Sequence, residues 1–471
     1  MHEVPKFSDK EEIARFISEN NIKILNLCHI PEDGKLKTLS FAPSEKNRIE
    51  GVLELGERAD GSSLFSFIAP GKSDIYIKPD FRRVFINPFS SVPTLNILCN
   101  YLDEGGKRLE IAPKNVLARA EAKLHASSHV VLKALAELEF YIISKQEKEV
   151  SFAGLPDKNY HESRPFAMFE DLRNEVLVTL AEVGITTKYG HGEVGRIFDN
   201  DNTLIEQHEV ELTPQNLGDA ADEIAVAKWV IRNVCVKYGV SVSFSPKITM
   251  EHAGTGMHVH LCGLSNGKNI LSDNGTLSSE AKEMIGGILK FAPSLSAFGN
   301  PTPVSYLRLI ARKESPMHIC WSARNRLALI RVPLWWTFKT KNEERDNCRE
   351  TFEYRASDAF ANAYLLFAAI TLAVSYGLDN SAESLKIAED LHSGAKSRED
   401  KFRTLPRSCV ESARCLQKER RFYEADAVFP KVLIDEIVDR LTGFGDKDLW
   451  KNSRESSKKS EDMLKHYLHY G

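Results

Sequence analysis

The chain has no CxxC pair, no GxxxxGK[ST] loop, no marked excess of one charge and no uninterrupted apolar run of membrane-spanning length. Each absence excludes something. The eight cysteines, at 28, 99, 235, 262, 320, 348, 409 and 415, show no metal-type spacing, which argues against a zinc site and a disulfide scaffold and for reduced thiols. Without the glycine-rich phosphate loop, nucleotide chemistry would need another vehicle. A formal net charge of −4 gives no reason to expect a nucleic-acid or membrane partner. The longest apolar run, "AFANAYLLFAAITLAVSYGL" from Ala359, is interrupted by Asn362 and bounded by Asp358 and Asp379, so a buried core helix is expected. The amino terminus, "MHEVPKFSDKEEIARFISEN", lacks a basic-then-apolar leader pattern and reads as a short amphipathic helix, so a cytoplasmic protein is expected. Internal repeats and low-complexity segments are also missing.

What is present suits a folded protein of more than one packed unit: 471 residues, 42% hydrophobic and 27% charged. From Ile22 to about Asn100, short β-type runs such as "IKILNLCHI" and "RRVFINPF" alternate with turn clusters. Beyond "APKNVLARAEAKLHAS" the texture changes to long amphipathic helices alternating with strands, which places a boundary near residue 110 and domains at 1–110 and 111–471. After Asn380 the chain reads as helical. Its charged tail from Asp446 is expected to be a solvated or interface helix.

Chemistry concentrates in a few strand-like segments. In "HAGTGMHVHLCG" (252–263) alternation sends Met257, Val259 and Leu261 to one face and His258, His260 and Cys262 to the other, behind a glycine pair. In "ALAELEFYII" the same rule puts Glu137 and Glu139 together opposite Leu138 and Phe140. Two carboxylates on one face of a buried strand repel each other and demand a cation; a wet sheet edge is the plain alternative. The pattern recurs at Glu193 in "GHGEVGR", at Gln207 and Glu209 in "IEQHEVEL", and at Glu353 and Arg355 in "ETFEYRASD". Taken together, these carboxylates and His258 form an oxygen-dominated set suited to Mg²⁺ or Mn²⁺. Arginines 308, 324, 326 and 331 stand next to apolar residues and need anionic partners, the last three in a strand-like context. Carboxylates, divalent cations and arginines are the equipment of phosphoryl transfer, although structural ion pairing remains the plain reading of any one arginine.

These segments, in this order and over essentially the whole chain, resemble the glutamine synthetase family. The pieces are "DGSS" (60–63), "ELEF" (137–140), "HGEV" (191–194), "EQHE" (206–209), "GTGMHVH" (254–260), "NPTPVSYLRL" (300–309), "SARNR" (322–326) and "FEYRASD" (352–358). The resemblance implies an α+β protein: a small amino-terminal β-grasp-like domain, then a large catalytic domain with a curved antiparallel sheet. It implies two or three Mg²⁺ or Mn²⁺ ions, with Glu139, Glu193 and Glu209 on one and Glu137, His258 and Glu353 on another. Gly254, His258, Arg308, Arg355 and Ser63 would bind substrate, and His260, Arg326 and Arg331 would face ATP. Asp60, contributed across a subunit boundary, would hold ammonium, and Glu314 would close a flap over the intermediate. The implied partners are glutamate, ATP and ammonium or an amine, and the implied assembly is a homo-oligomer, a dodecamer of two stacked rings.

Some positions depart from the family pattern. The flap core "PGYEAP" is "ARKESP" here, with Arg312 and Lys313; Ala253 replaces an asparagine, Leu307 a lysine, and Glu350–Thr351 a basic pair. The tyrosine of adenylylated members has no match in "DLHSGAKSREDKFRTLP", so control by that modification is not expected. Tyr160 is a candidate for the amine site or for packing. Three readings follow: a ligase making glutamine from glutamate and ammonia, a ligase joining glutamate to a polyamine or other larger amine, and a catalytically weak regulatory or scaffold protein.

Overall fold

The computed structural model describes residues 6–470 apart from 44–45, 147–153, 200, 274, 312, 336–347, 395–401 and 449–454. The first unit is a five-stranded mixed sheet. Its strands are β1 (Ile24–His29), β2 (Lys37–Phe41), β3 (Glu57–Asp60), β4 (Asp74–Ile86) and β5 (Thr94–Leu102), in the order β2-β1-β5-β4-β3. β1 and β5 run parallel and the other pairs antiparallel. Helix α1 (Lys10–Glu19) starts at Asp9, whose side chain accepts from the Glu12 amide at 2.8 Å, and its period turns Ile13 and Ile17 inward. With α2 (Lys46–Leu55) it covers one face of the sheet through a cluster containing Leu25, Leu53 and Leu95.

The second unit is built on a ten-stranded sheet. Its long central strand is β6 (Val130–Lys145), and it is joined by β7 (Thr187–Phe198), β8 (Thr203–Leu212), β9 (Gln215–Asn216), β10 (Ser241–Ser243), β11 (Met257–Ser265) and β12 (Lys268–Asn269). A small hairpin, β13 (Ser272–Asp273) and β14 (Thr276–Leu277), stands apart, and β15 (His318–Ala323), β16 (Ala328–Val332) and β17 (Phe352–Tyr354) complete the sheet. The order along its main path is β15-β16-β17-β11-β6-β8-β7. The expected antiparallel sheet is found with one exception, β15 and β16, which run parallel.

Helices cover one face: α3 (Pro113–Ser128), α4 (Glu170–Glu182), α5 (Leu217–Lys237), α6 (Ser279–Gly299), α7 (Pro303–Ala311), α8 (Ala363–Asp379), α9 (Ser381–Asp390), α10 (Cys409–Glu424), α11 (Lys431–Gly443) and α12 (Glu455–His466). Leu138, Phe140, Val259, Leu261, Phe352 and Tyr354 point into this helical core, so the residues between them face the other way. α8 is the apolar run read from the sequence, and nearly all of it is buried. No single helix among the described residues is long and apolar enough to cross a membrane; α8 and α9 together match in length and composition but bend by 108°.

The two units are pinned together. Asn362 donates to the carbonyls of Pro31 and Glu32, both at 3.1 Å, while Arg83 bridges to Asp219 and Glu223, and Lys114 reaches Asp80 at 3.9 Å. The tail helix is exposed along most of its described length and packs through one face. Asp446 is fully buried and caps α10 by accepting from the amides of Cys409 and Val410 at 2.9 and 3.1 Å; Leu464 and Tyr467 are buried, and Ser243 bonds the Leu468 carbonyl. All eight cysteines are free thiols, and seven are buried.

Candidate active site

Register assembles the site. In β6, Glu137 stands opposite Glu211 of β8 and His258 of β11, and Glu139 stands opposite Glu209 of β8, which in turn faces His191 of β7. His260 of β11 faces Glu353 of β17, which faces Arg331 of β16. A register shift in β7 between Gly192 and Arg196 brings Glu193 to the same cavity. The curled sheet thereby gathers Glu137, Glu139, Glu193, Glu209, His258 and His260 around one cavity, with Glu353 completely buried behind it.

Hydrogen bonds set the side chains. His258 Nδ1 lies 2.8 Å from Glu137 Oε2, and His260 Nε2 lies 2.9 Å from Glu137 Oε1. The other nitrogen of His260 meets Thr351 Oγ1 at 2.9 Å. Glu139 Oε2 accepts from the Gly256 amide at 2.7 Å and from Gln207 Nε2 at 3.2 Å; the same Gln207 nitrogen donates to the Gly254 carbonyl at 2.9 Å. The loop 252–256 is therefore bonded to the carboxylate strand itself.

Burying so many carboxylates splits their proton affinities. Burial, with Glu139 and Glu209 beside it, raises Glu193 to about 9. Burial and the charges of Glu137 and Glu139 push Glu209 well above the usual range. Glu137 goes the other way: burial opposes its charge, but His260 and His258 hold its carboxyl well below the usual range. Among the described residues, three groups bring their ligand atoms within 4.8 Å of one another: Glu137 with His258 and Glu353, His191 with Glu193 and Glu209, and Glu137 with Glu211 and His260. Oxygen donors with one imidazole per group fit Mg²⁺ or Mn²⁺, and the mutual repulsion of these carboxylates is the physical reason a cation would be held.

Cations ring this acidic centre. Arg331 donates to Glu353 Oε2 at 2.9 Å, and Arg355 bonds the other oxygen of the same carboxylate. Arg355 also donates to the carbonyls of Arg326 and Glu314 at 2.9 and 3.3 Å. Arg308 is spread over the carbonyls of Arg355, Ala356 and Ser357 and reaches His258 Nε2 at 3.3 Å. It comes from helix α7. Arg324 and Arg326 lie in the turn between β15 and β16, so the strand-like context read for them holds only for Arg331. The Arg326 guanidinium lies 6.0 Å from the Tyr160 ring centroid, and Tyr160 stacks on His161 at 4.2 Å. Burial and the nearby Glu139 raise the Glu314 carboxyl, which lines the cavity.

Two expected site residues lie elsewhere in this chain. Asp60 and Ser63 are outside the cavity; Asp60 accepts from the Ser62 amide at 3.0 Å and from the Ser62 and Ser63 hydroxyls at 2.7 and 2.8 Å, which hold its carboxyl well below the usual range. Arg312 lies outside the described residues. Five lining residues, Lys188, Tyr189, His191, Glu211 and Pro333, escaped the sequence reading. Glu211 was detectable, since it continues the alternation of Gln207 and Glu209.

An α+β protein whose curled sheet closes an acidic, arginine-ringed cavity belongs with enzymes that handle several anionic groups at once. Residues 21–104 match the family model for the glutamine synthetase beta-Grasp domain, and residues 110–441 match that for the glutamine synthetase catalytic domain. The chain belongs to the glutamine synthetase family. It is 30% identical over 452 residues to a glutamine synthetase of Thermotoga maritima, covering 94% of this chain and 95% of that protein. It is 28% identical over 460 residues to a 3-hydroxylaminophenol mutase of Cupriavidus pinatubonensis, covering 91% of this chain and 94% of that protein. In fold it is similar to the Plasmodium falciparum glutamine synthetase, with a TM-score of 0.78 at 20% identity over 96% of this chain and 99% of that one. Ligand-free GmaS is similar too, with a TM-score of 0.75 at 20% identity over 96% of this chain and 99% of that one.

Proposed function

We propose that the protein is an ATP-dependent ligase that joins ammonia to the γ-carboxylate of glutamate, releasing ADP and phosphate. One observation carries the reading: groups of buried carboxylates with His258 share a cavity with Arg308, Arg331 and Arg355 and with the glycine loop bonded to Glu139. Bound divalent cations would neutralise charge on the phosphates and polarise the reacting oxygens. Glu139, Glu193 and Glu209, with His191 beside them, would hold one ion, and Glu137, His258 and Glu353 another.

In this reading Arg308, Arg355 and the 254–256 backbone orient glutamate, and His260, Arg326 and Arg331 face the triphosphate. The γ-carboxylate oxygen attacks the γ-phosphorus and ADP leaves, which turns a poor electrophile into an acyl phosphate. Ammonia attacks the acyl carbon and phosphate departs. Glu314, whose carboxyl is raised by burial, is suited to take the proton the amine sheds and to keep water out. Asp60 and Ser63 lie outside their own chain's cavity, which supports a ring-shaped homo-oligomer in which a neighbour supplies them. Eight free thiols suit the reducing cytoplasm.

A second reading, ligation of a larger amine, is favoured by Tyr160, which is 44% exposed at the cavity and forms an aromatic wall with His161 and His191. Such a wall suits an alkylammonium ion. The test is ATP-dependent phosphate release with glutamate and Mg²⁺, comparing ammonium with a panel of amines and using Glu139→Ala as control. Turnover with ammonium, lost in the control, supports the first reading; turnover only with a larger amine replaces it with the second.

A further inference from the structure

Lys188 and Arg331 stand on opposite walls of the cavity at nearly the same depth. Lys188 lies between the pairs Thr187–Leu212 and Tyr189–Glu211, and Glu211 is level with Glu137 on β6. Arg331 is level with Glu353, His260 and, through them, Leu135 on β6. The two cations therefore differ in depth by about one strand residue, roughly 3.4 Å. Both lie toward the His260 end of the cavity, away from the loop at Gly254 and Gly256.

The lysine is placed to move. Its Nζ donates to Glu211 Oε1 at 2.7 Å, yet its side chain is 51% exposed while that of Glu211 is 1% exposed. The ammonium thus stands between a buried anion and the open cavity, 5.1 Å from the Tyr189 ring centroid. Three of the arginines that share the cavity are more tightly committed: Arg331 and Arg355 are both on Glu353, and Arg308 is on three carbonyls, while Arg326 stands over the Tyr160 ring. A polyphosphate arriving at a wall that already holds Glu137, Glu211 and Glu353 needs a cation with a free stem, and a lysine head supplies a point charge for it.

We propose that Lys188 is a phosphate-binding residue for the nucleotide, resting on Glu211 in the free protein and turning to the β- and γ-phosphates when nucleotide binds. This rests on the ATP-dependent reading above. Lys188 leaves the amino-acid end of the cavity untouched, so its effect should depend on phosphate number and not on glutamate.

The test is calorimetric titration of the full chain, in Mg²⁺, with ADP and with AMP. Because Lys188→Ala alone strands a buried carboxylate, and because Glu211 also belongs to the group with Glu137 and His260, the decisive comparison is the double substitution Lys188→Ala with Glu211→Gln against Glu211→Gln alone, with Lys188→Arg as the conservative variant. The double variant is expected to bind ADP about ten- to a hundredfold more weakly than Glu211→Gln does, and AMP with little change, the loss of one charge-assisted contact. Lys188→Arg should keep most of the ADP affinity, and the glutamate KM should not move. ADP affinity in the double variant equal to that of Glu211→Gln, or equal further losses for ADP and AMP, overturns the proposal while leaving the ligase reading standing. A native protein that binds no adenine nucleotide overturns both.

Discussion

Glu139 and Gly256 are joined by a hydrogen bond of 2.7 Å, from the glycine amide to Oε2 of the carboxylate. That contact fixes the loop against the strand that carries the acidic centre, and it leaves no room at Gly256. A Cβ there would lie 2.7 Å from both Arg308 Nη2 and His258 Nε2. The intruded atoms are side-chain ends, so the backbone survives while Arg308 is displaced. Gly256→Ala should raise the glutamate KM at least about tenfold, with little change in melting temperature. Steady-state kinetics with glutamate varied checks this; an unchanged KM would remove Arg308 from the substrate site.

The crowded carboxylates predict stabilisation by divalent cations. Mg²⁺ or Mn²⁺ at about a hundred times its dissociation constant should add roughly 2.7 kcal/mol to stability, seen as a higher melting temperature that EDTA reverses. Glu193→Ala and Glu353→Ala should each blunt the response. No shift in the native protein would favour the scaffold reading over the ligase.

Lys228 is buried beneath the junction of the two units, where its ammonium donates to the Ala359 carbonyl at 2.9 Å. Burial, helped by Arg232 and Lys35, lowers its pKa to about 7, against 10.5 for the ordinary lysine; Asp33 and Asp358 oppose the shift. Between those two values the unfolded chain binds more protons than the folded one, so this group makes the protein more stable as pH rises. The full effect is roughly 5 kcal/mol. Denaturation of native protein and Lys228→Met at pH 7 and pH 10 should show the native protein gaining on the variant at the higher pH. A constant difference would contradict it.

Helices α6 and α8 touch through glycines. A Cβ on Gly287 would lie 2.1 Å from the Ala373 carbonyl oxygen and 2.9 Å from Gly377 Cα. Those are backbone atoms at a helix contact, and they cannot yield without separating the helices. Gly287→Ala should destabilise by about 1–3 kcal/mol or more, whereas Gly218→Ala, with nothing within 4 Å, should not. Comparing the two melting temperatures tests the contact.

Alternation made much of the site legible. A two-residue period in "ELEF" already separates Glu137 and Glu139 from Leu138 and Phe140, and the structure uses that separation, acid to the cavity and apolar to the helices. The same rule applied one step further would have found Glu211. Lys188 carried no such signal, because it sits at an irregularity in β7 where strand period does not say which way a side chain turns. Arg308 was found as a cation without its helix, and Arg326 was assigned to a strand although it lies in a turn.

The sequence by itself determined which face of each strand is acidic, which runs are core, and that the chain resembles the glutamine synthetase family, since these depend on local period and residue order. Only the tertiary structure decided that Glu137 meets His258 across 121 residues of chain, that one glutamate serves both Arg331 and Arg355, and that Asp60 lies outside its own chain's cavity. Such pairings follow from strand register and sheet curl. Register is set by burying whole apolar faces together, a property of all the strands at once that no single segment carries.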